Sequence, residues 1–125
     1  MRVATGDVLG GNMKKCLISF ILAVTASSTH AQNKPTRFWN LTVNTITALQ
    51  MSPAGKQEWG INQCKNDRDG TVDHDERLRI TDVSAGRYDV RLTDKTGRTC
   101  IVRDIDVKEG AVFIIEEKQL TDCRK

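Results

Sequence analysis

The chain has 125 residues, of which 38% are hydrophobic and 28% are charged, and its formal net charge is +3. This length and composition fit one small globular domain. The basic residues are scattered among acidic ones and form no stripe with aromatic residues between them, which excludes the usual nucleic-acid-binding pattern.

The first element of the chain has the features of an export signal. Residues 13–31 contain Lys14-Lys15, then a short apolar run, then Thr29-His30-Ala31, which puts small residues at positions −3 and −1 before Gln32. The apolar run is much shorter than the roughly 20 residues that span a bilayer. The sequence therefore predicts a cleaved signal peptide and no membrane span.

Cleavage would change the start, the charge and the cysteine count of the domain. Residues 1–12 contain three glycines and an aspartate, which do not suit the basic start of a signal, so we expect Met13 to be the true first residue. Loss of residues 1–31 leaves a single domain, residues 32–125, with a net charge of about +1. We expect a periplasmic or secreted location. In such an oxidising compartment, an odd number of cysteines indicates one disulfide and one further thiol; the three are Cys64, Cys100 and Cys123.

Alternation with a period of two runs through most of the mature chain and predicts strands. Residues 38–43 alternate, a β-rich run covers residues 45–51, and Ser52-Pro53-Ala54-Gly55 stops that run. Residues 56–75 are irregular. Glycine-containing turns then separate four further predicted strands, near residues 77–83, 87–94, 99–107 and 111–117. This spacing predicts an all-β fold, a small antiparallel β-sandwich or meander of about six strands.

The acidic loop at residues 67–76 resembles the calcium loop of EF-hand proteins. With Gly70 in the sixth position, the remaining ligand positions fall on Asp67, Asp69, the carbonyl of Thr71, Asp73 and Glu76. The first position falls on Lys65, however, and the loop leads into a predicted strand where an EF-hand has a helix. The alternative is a solvated acidic loop with a tight turn at Asp69-Gly70. A weak calcium site is thus the second functional hypothesis.

Groups that could support catalysis are scarce. His74 is the only imidazole after the predicted cleavage site, and neither Ser52 nor Ser84 lies in a Gly-x-Ser-x-Gly setting. Cys64 and His74 are the one candidate thiolate pair, and a single histidine without a Cys-x-x-Cys motif does not build a familiar zinc site. We therefore expect no enzyme, and no cofactor apart from the calcium considered above.

Trp59-Gly60, in the irregular segment, has two interpretations. An exposed tryptophan would be a platform for a ligand. We favour a ring that plugs the open end of the sandwich, because a domain this small needs buried apolar area.

The order of the last strands predicts which cysteines pair. In a meander, the end of strand 111–117 lies beside the beginning of strand 99–107, so the chain can fold Cys123 back onto Cys100. We therefore predict a Cys100–Cys123 disulfide, with Cys64–Cys123 and Cys64–Cys100 as alternatives. Cys64 would remain as a thiol that could link two copies of the chain.

Two sets of residues resemble known families. Residues 80–92, followed by Lys95-Thr96-Gly97, are similar to the V-x-x-G-x-Y-x-V-x-V…G stretch of transthyretin-like and carboxypeptidase-regulatory-like β-sandwiches. More of the chain resembles small exported domains of proteobacteria without an established activity, through Asn40-Leu41-Thr42, Ser52-Pro53-Ala54-Gly55, Trp59-Gly60 and Tyr88-Asp89-Val90-Arg91. That pattern has a cysteine where this chain has Arg87, so no disulfide is carried over. The resemblance implies export and a β domain, and no reaction. We expect a binding or interaction module for a protein or small ligand.

Overall fold

The computed structural model describes residues 34–125. The predicted start at Met13 and the predicted export segment 13–31 lie outside the described residues. No helix within residues 34–125 is long and apolar enough to cross a membrane. The described chain forms two short 3-10 helices, Gln63–Asn66 and Glu117–Gln119, and seven strands: β1 (Thr36–Leu41), β2 (Ile46–Pro53), β3 (Arg77–Ile80), β4 (Gly86–Asp94), β5 (Thr99–Val107), β6 (Val112–Glu116) and β7 (Asp122–Arg124).

The strands form two sheets, which confirms the predicted small all-β sandwich. One sheet has three strands in the order β3-β1-β6, and the other has four in the order β2-β4-β5-β7. Neighbouring strands of the four-stranded sheet are all antiparallel. In the three-stranded sheet β1 is antiparallel to β3 but parallel to β6. The predicted antiparallel pairing therefore holds for every pair of neighbouring strands except β1 and β6.

The predicted run of four consecutive paired strands is wrong in its connections. Only β4 and β5 pair as neighbours along the chain, while β3 and β6 lie in the three-stranded sheet on either side of β1. The chain thus crosses between the sheets before β4 and again after β5. The physical reason is that alternation of apolar and polar residues shows which face of a strand is buried, but it does not show which other strand pairs with it.

The core lies between the two sheets. The rings of Phe38 on β1 and Phe113 on β6 pack with centroids 5.5 Å apart. Leu49 and Leu92 from the four-stranded sheet are buried in the same cluster. Because successive side chains of a strand point to opposite faces, the residues between these core positions form the two outer faces of the sandwich.

A buried asparagine shapes the corner after β1. The side-chain amide of Asn40 donates to the carbonyl oxygens of Val72 (2.9 Å) and Asn44 (3.1 Å), and its Oδ1 accepts from the backbone N–H of Thr42 (2.9 Å). A buried amide with this many partners fixes the path of the backbone. The Asn40-Leu41-Thr42 sequence therefore has a structural role.

The predicted Cys100–Cys123 disulfide is confirmed. Strand β7 pairs with β5 in a register that puts Cys123 opposite Cys100, and the two are bonded. The chain reaches this position through a separate strand after the 3-10 helix Glu117–Gln119, and not through pairing of β6 with β5.

Cys64 is a free thiol, and it is completely buried. Burial, followed by the nearby charge of Asp67, raises its pKa to about 12. Neither alternative disulfide of Cys64 is formed. A cross-link between two copies through Cys64 stays a prediction, and the burial of Cys64 counts against it.

Candidate functional site

The acidic loop is held together by hydrogen bonds among its own residues. Asp69 Oδ1 accepts from the N–H (3.1 Å) and the hydroxyl (3.0 Å) of Thr71, and the N–H of Asp69 donates to Asp67 Oδ2 (3.3 Å). Further on, Glu76 Oε1 accepts from the N–H of Asp73 at 2.7 Å. The bonds to Asp67 and Asp69 are typical of Asx turns, and the bond from Asp73 to Glu76 closes the end of the loop.

The carboxylates of the loop do not converge on one point. Within residues 34–125, no three His, Cys, Asp or Glu side chains are grouped so that they could hold a metal ion. The carboxyl groups of Asp67 and Asp69 instead interact as a pair, in which proximity to Asp69 raises the pKa of Asp67 and proximity to Asp67 lowers the pKa of Asp69. A calcium site at Asp67, Asp69, Thr71, Asp73 and Glu76 stays a prediction.

The candidate thiol–imidazole pair is not assembled. His74 is exposed, and its Nδ1 lies 2.7 Å from the carbonyl oxygen of Thr42. The buried Cys64 sulfur instead lies 3.9 Å from the carbonyl oxygen of Ile46. A buried thiol with a raised pKa is not a nucleophile at neutral pH.

A groove of about 490 Å³ lies on the outer face of the four-stranded sheet. Alternate residues of β5 form its floor, because Cys100 and Val102 between them point into the core. Trp59 from the loop after β2 and the C-terminal residues on and after β7 complete the lining. The lining residues are Gln57, Trp59, Arg91, Thr99, Ile101, Arg103, Asp122, Arg124 and Lys125.

A stacked pair of side chains forms one side of the groove. The guanidinium carbon of Arg91 lies 4.6 Å from the centroid of the Trp59 ring. The Nε and Nη2 atoms of Arg91 donate to Gln50 Oε1 at 3.2 and 2.8 Å, and Gln50 Nε2 donates to the carbonyl oxygen of Gly60 at 3.3 Å. Gly60 in turn donates to the carbonyl oxygen of Met51 at 2.9 Å. Hydrogen bonds within the domain thus hold Arg91 against the indole ring.

Trp59 is not the plug that the sequence had favoured. Its side chain is half-buried, it is outside the hydrophobic core, and it lies on the outside of the four-stranded sheet. The alternative, a platform for a ligand, stays a prediction.

Positive charge dominates the groove. Arg91, Arg103, Arg124 and Lys125 line it together with a single acid, Asp122. Arg103 Nη2 is 2.7 Å from Asp122 Oδ2. Within the described part of the chain, the other three cations of the groove have no carboxylate within 4.0 Å.

Three of the four motifs on which the predicted resemblance rests lie at or beside this groove, and the fourth, Asn40-Leu41-Thr42, forms the corner after β1. Trp59-Gly60 and Tyr88-Asp89-Val90-Arg91 supply the two members of the stack. Ser52-Pro53-Ala54-Gly55 supports it from behind: the N–H of Gly55 donates to Asp89 Oδ2 at 3.0 Å, and Ser52 Oγ accepts from the N–H of Glu58 at 2.8 Å. The motifs could have indicated this pair, since both were singled out in the sequence.

No protein-family model, curated protein or solved structure matches the chain. The two family resemblances therefore remain expectations. The function has to be inferred from the chemistry of the groove.

Proposed function

We propose that this protein is an exported, non-catalytic binding module that holds an anionic ligand in the groove of its four-stranded sheet. The single observation that carries the proposal is the Arg91–Trp59 stack beside Arg103 and Arg124 on one concave surface. The groove volume, about 490 Å³, lies within the range of small-molecule sites.

The arginines favour a carboxylate, sulfate or phosphate group on the ligand. A guanidinium is always charged and presents a planar fork of donors that matches such groups. Gln50 occupies Nε and Nη2 of Arg91, and within the described residues Nη1 has no side-chain partner. Arg124 is free of ion pairs among the same residues and lies on the opposite wall.

Trp59 and Ile101 favour a ligand that also has a ring or an apolar part. An indole face binds flat groups and contributes large contact area for little loss of conformational freedom. Arg91 places a positive charge beside the Trp59 ring. A ligand ring that carries an acidic group would therefore contact the indole and the guanidinium at once. We infer an acidic saccharide or a similar ring acid.

Export is part of the proposal. The disulfide between Cys100 and Cys123 is of the kind that persists in oxidising compartments, which supports the predicted signal peptide at residues 13–31. The mass of the protein recovered from outside the cytoplasm tests this: it should correspond to a chain that begins at or near Gln32. A mass that includes residues 13–31 would contradict it.

Calorimetric titration tests binding with two probes that differ in charge. Oligogalacturonate and its methyl ester share a sugar ring, but only the first carries carboxylates. We expect binding of the acid alone. Trp59→Ala and Arg124→Gln should each weaken it roughly tenfold, the loss of one stacking contact or one charged hydrogen bond.

Arg87→Gln is the matched control for this titration. Arg87 also belongs to β4, but it pairs with Asp104 at 2.9 Å and lies outside the groove. The Arg87→Gln variant should bind oligogalacturonate with the same affinity as the unaltered protein. Equal binding of the ester, or an equal loss in Arg87→Gln, would contradict the proposed site.

A further inference from the structure

The outer face of the three-stranded sheet carries a second set of arginines. Register places Arg37 of β1 opposite Arg79 of β3, and Trp39 opposite Arg77. The guanidinium carbon of Arg77 lies 3.9 Å from the centroid of the Trp39 ring. None of the three arginines has a carboxylate within 4.0 Å among residues 34–125. Three unneutralised cations therefore share one face.

An apolar column runs beside these arginines. Val112 and Ile114 of β6 are 43% and 41% exposed, and they lie opposite Arg37 and Trp39. Strand β6 is at the edge of its sheet, and it carries no lysine or proline; its one charged residue, Glu116, follows Ile114 on the same face and pairs with Lys118 at 3.4 Å. Neighbouring exposed aliphatic residues on an edge strand often mark a surface that something covers.

A shallow depression of about 450 Å³ opens at one end of the column. Lys34 and Arg37 line it together with Pro35, Gly110 and Val112, and no acid is among the lining residues. Gly110 has a φ of 77°, and its N–H donates to Thr36 Oγ1 at 3.0 Å. The depression thus combines two cations with apolar walls.

Negative charge touches this face at a corner. Asp75 Oδ1 accepts from Trp39 Nε1 at 2.9 Å, which holds the indole edge toward the acidic loop. The indole face remains beside Arg77 and in line with Ile114. The residues that the register places around Arg37 are cations, aliphatic side chains and the Trp39 ring, and none of them is an acid.

We propose that this face docks on a membrane surface that contains anionic lipids. The arginines would bind lipid phosphates, and the tryptophan and aliphatic side chains would lie at the boundary between headgroups and acyl chains. The docking face consists of Arg37, Trp39, Arg77, Arg79, Val112 and Ile114.

Three properties favour a lipid surface over a protein partner. The face is a sheet surface, which presents its cations and its apolar column in one plane. Tryptophan is enriched at membrane interfaces, and arginine forms bidentate bonds with phosphate. The depression beside Arg37 offers a phosphate a place between two cations. The groove lies on the opposite sheet, so docking and ligand binding can be measured independently.

Co-sedimentation with lipid vesicles tests docking. We expect the folded, oxidised mature domain to bind vesicles of phosphatidylcholine mixed with phosphatidylglycerol, and not vesicles of phosphatidylcholine alone. Each basic residue near an anionic surface contributes roughly a fivefold factor, about 1 kcal/mol. Arg37→Gln with Arg79→Gln should therefore lower the partition coefficient about 25-fold. High salt should weaken binding of the unaltered protein.

Two further variants separate docking from general charge attraction. Arg87→Gln with Lys95→Gln removes the same charge from the four-stranded sheet and its hairpin, and we expect binding within roughly threefold of the unaltered protein. Ile114→Ser should weaken binding without any change of charge. If Ile114→Ser does not fold, Val112→Thr gives the same test at a more exposed position.

The proposal fails under any of three results. The first is that the unaltered protein does not bind the anionic vesicles. The second is that Arg87→Gln with Lys95→Gln loses as much affinity as Arg37→Gln with Arg79→Gln. The third is that sedimentation velocity shows a dimer and that Ile114→Ser disrupts this dimer. The last result would assign the face to a second copy of the chain.

Discussion

Reduction of the Cys100–Cys123 disulfide should destabilise the domain strongly. The two cysteines are 23 residues apart in the sequence, and β7, which carries Cys123, pairs with β5 at only three positions. In the chain-entropy model, a cross-link that closes a loop of about two dozen residues stabilises the folded state by about 3 kcal/mol. For a domain of this size that corresponds to a fall in Tm of roughly 15 °C on reduction.

Guanidinium unfolding, followed by tryptophan fluorescence with and without reductant, measures this difference. Cys100→Ala with Cys123→Ala is the control, since reductant should leave its midpoint unchanged. Cys64 is buried and free, so a Cys64→Ala variant should lose stability on reduction by the same amount as the unaltered protein. The reasoning would be refuted if reduction lowered the free energy of unfolding of the unaltered protein by less than about 1 kcal/mol, or if it lowered that of the double alanine variant.

Three further predictions concern buried polar groups and the acidic loop. Asp94 is 2% exposed; burial alone would raise its pKa, but hydrogen bonds from Thr96 and Arg98 outweigh burial and lower it. The carboxylate therefore stabilises the fold at pH values above its unfolded pKa, and this stabilisation is lost as the pH falls. Asp94→Asn should lower the free energy of unfolding by roughly 2 kcal/mol at neutral pH and make the urea-unfolding free energy less dependent on pH on the acid side. An unchanged pH dependence would contradict this. Asn40→Ala removes an amide that donates to the carbonyl oxygens of Val72 and Asn44 and leaves the buried N–H of Thr42 without its acceptor. It should lower the free energy of unfolding by about 2 kcal/mol; a loss within experimental error would count against the corner described above. If calcium binds the loop, millimolar calcium should raise the Tm, and Glu76→Gln should abolish the rise while leaving the metal-free Tm unchanged; no rise in the unaltered protein would end the calcium hypothesis.

The longer strands could be predicted from the sequence. The predicted strands at residues 87–94 and 99–107 match β4 and β5 almost to the residue, because alternation and glycine turns act locally. Strand β7 was missed, since three residues are too few to show a period. The placement of β3 and β6 in the second sheet was not predictable, because it depends on which hydrophobic faces meet across the core.

The candidate site was less accessible from sequence than the fold. Trp59 was noted, but the need for buried area favoured the core over the outer face where it lies. Arg103 and Arg124 belong to different strands, and only the pairing of β5 with β7 brings them to one groove. The acidic loop shows the reverse case: its spacing resembles a calcium loop, but its turns use the carboxylates internally.

The most direct test of the proposed function is a titration of the mature domain followed by the NMR signals of its two indole N–H groups. Trp59 lies in the groove, and Trp39 lies on the opposite sheet, so the second ring is an internal control. The proposal predicts that oligogalacturonate shifts the Trp59 signal, leaves the Trp39 signal in place, and loses its effect as the methyl ester. An unmoved Trp59 signal at saturating acid, or equal shifts with the ester, would contradict it.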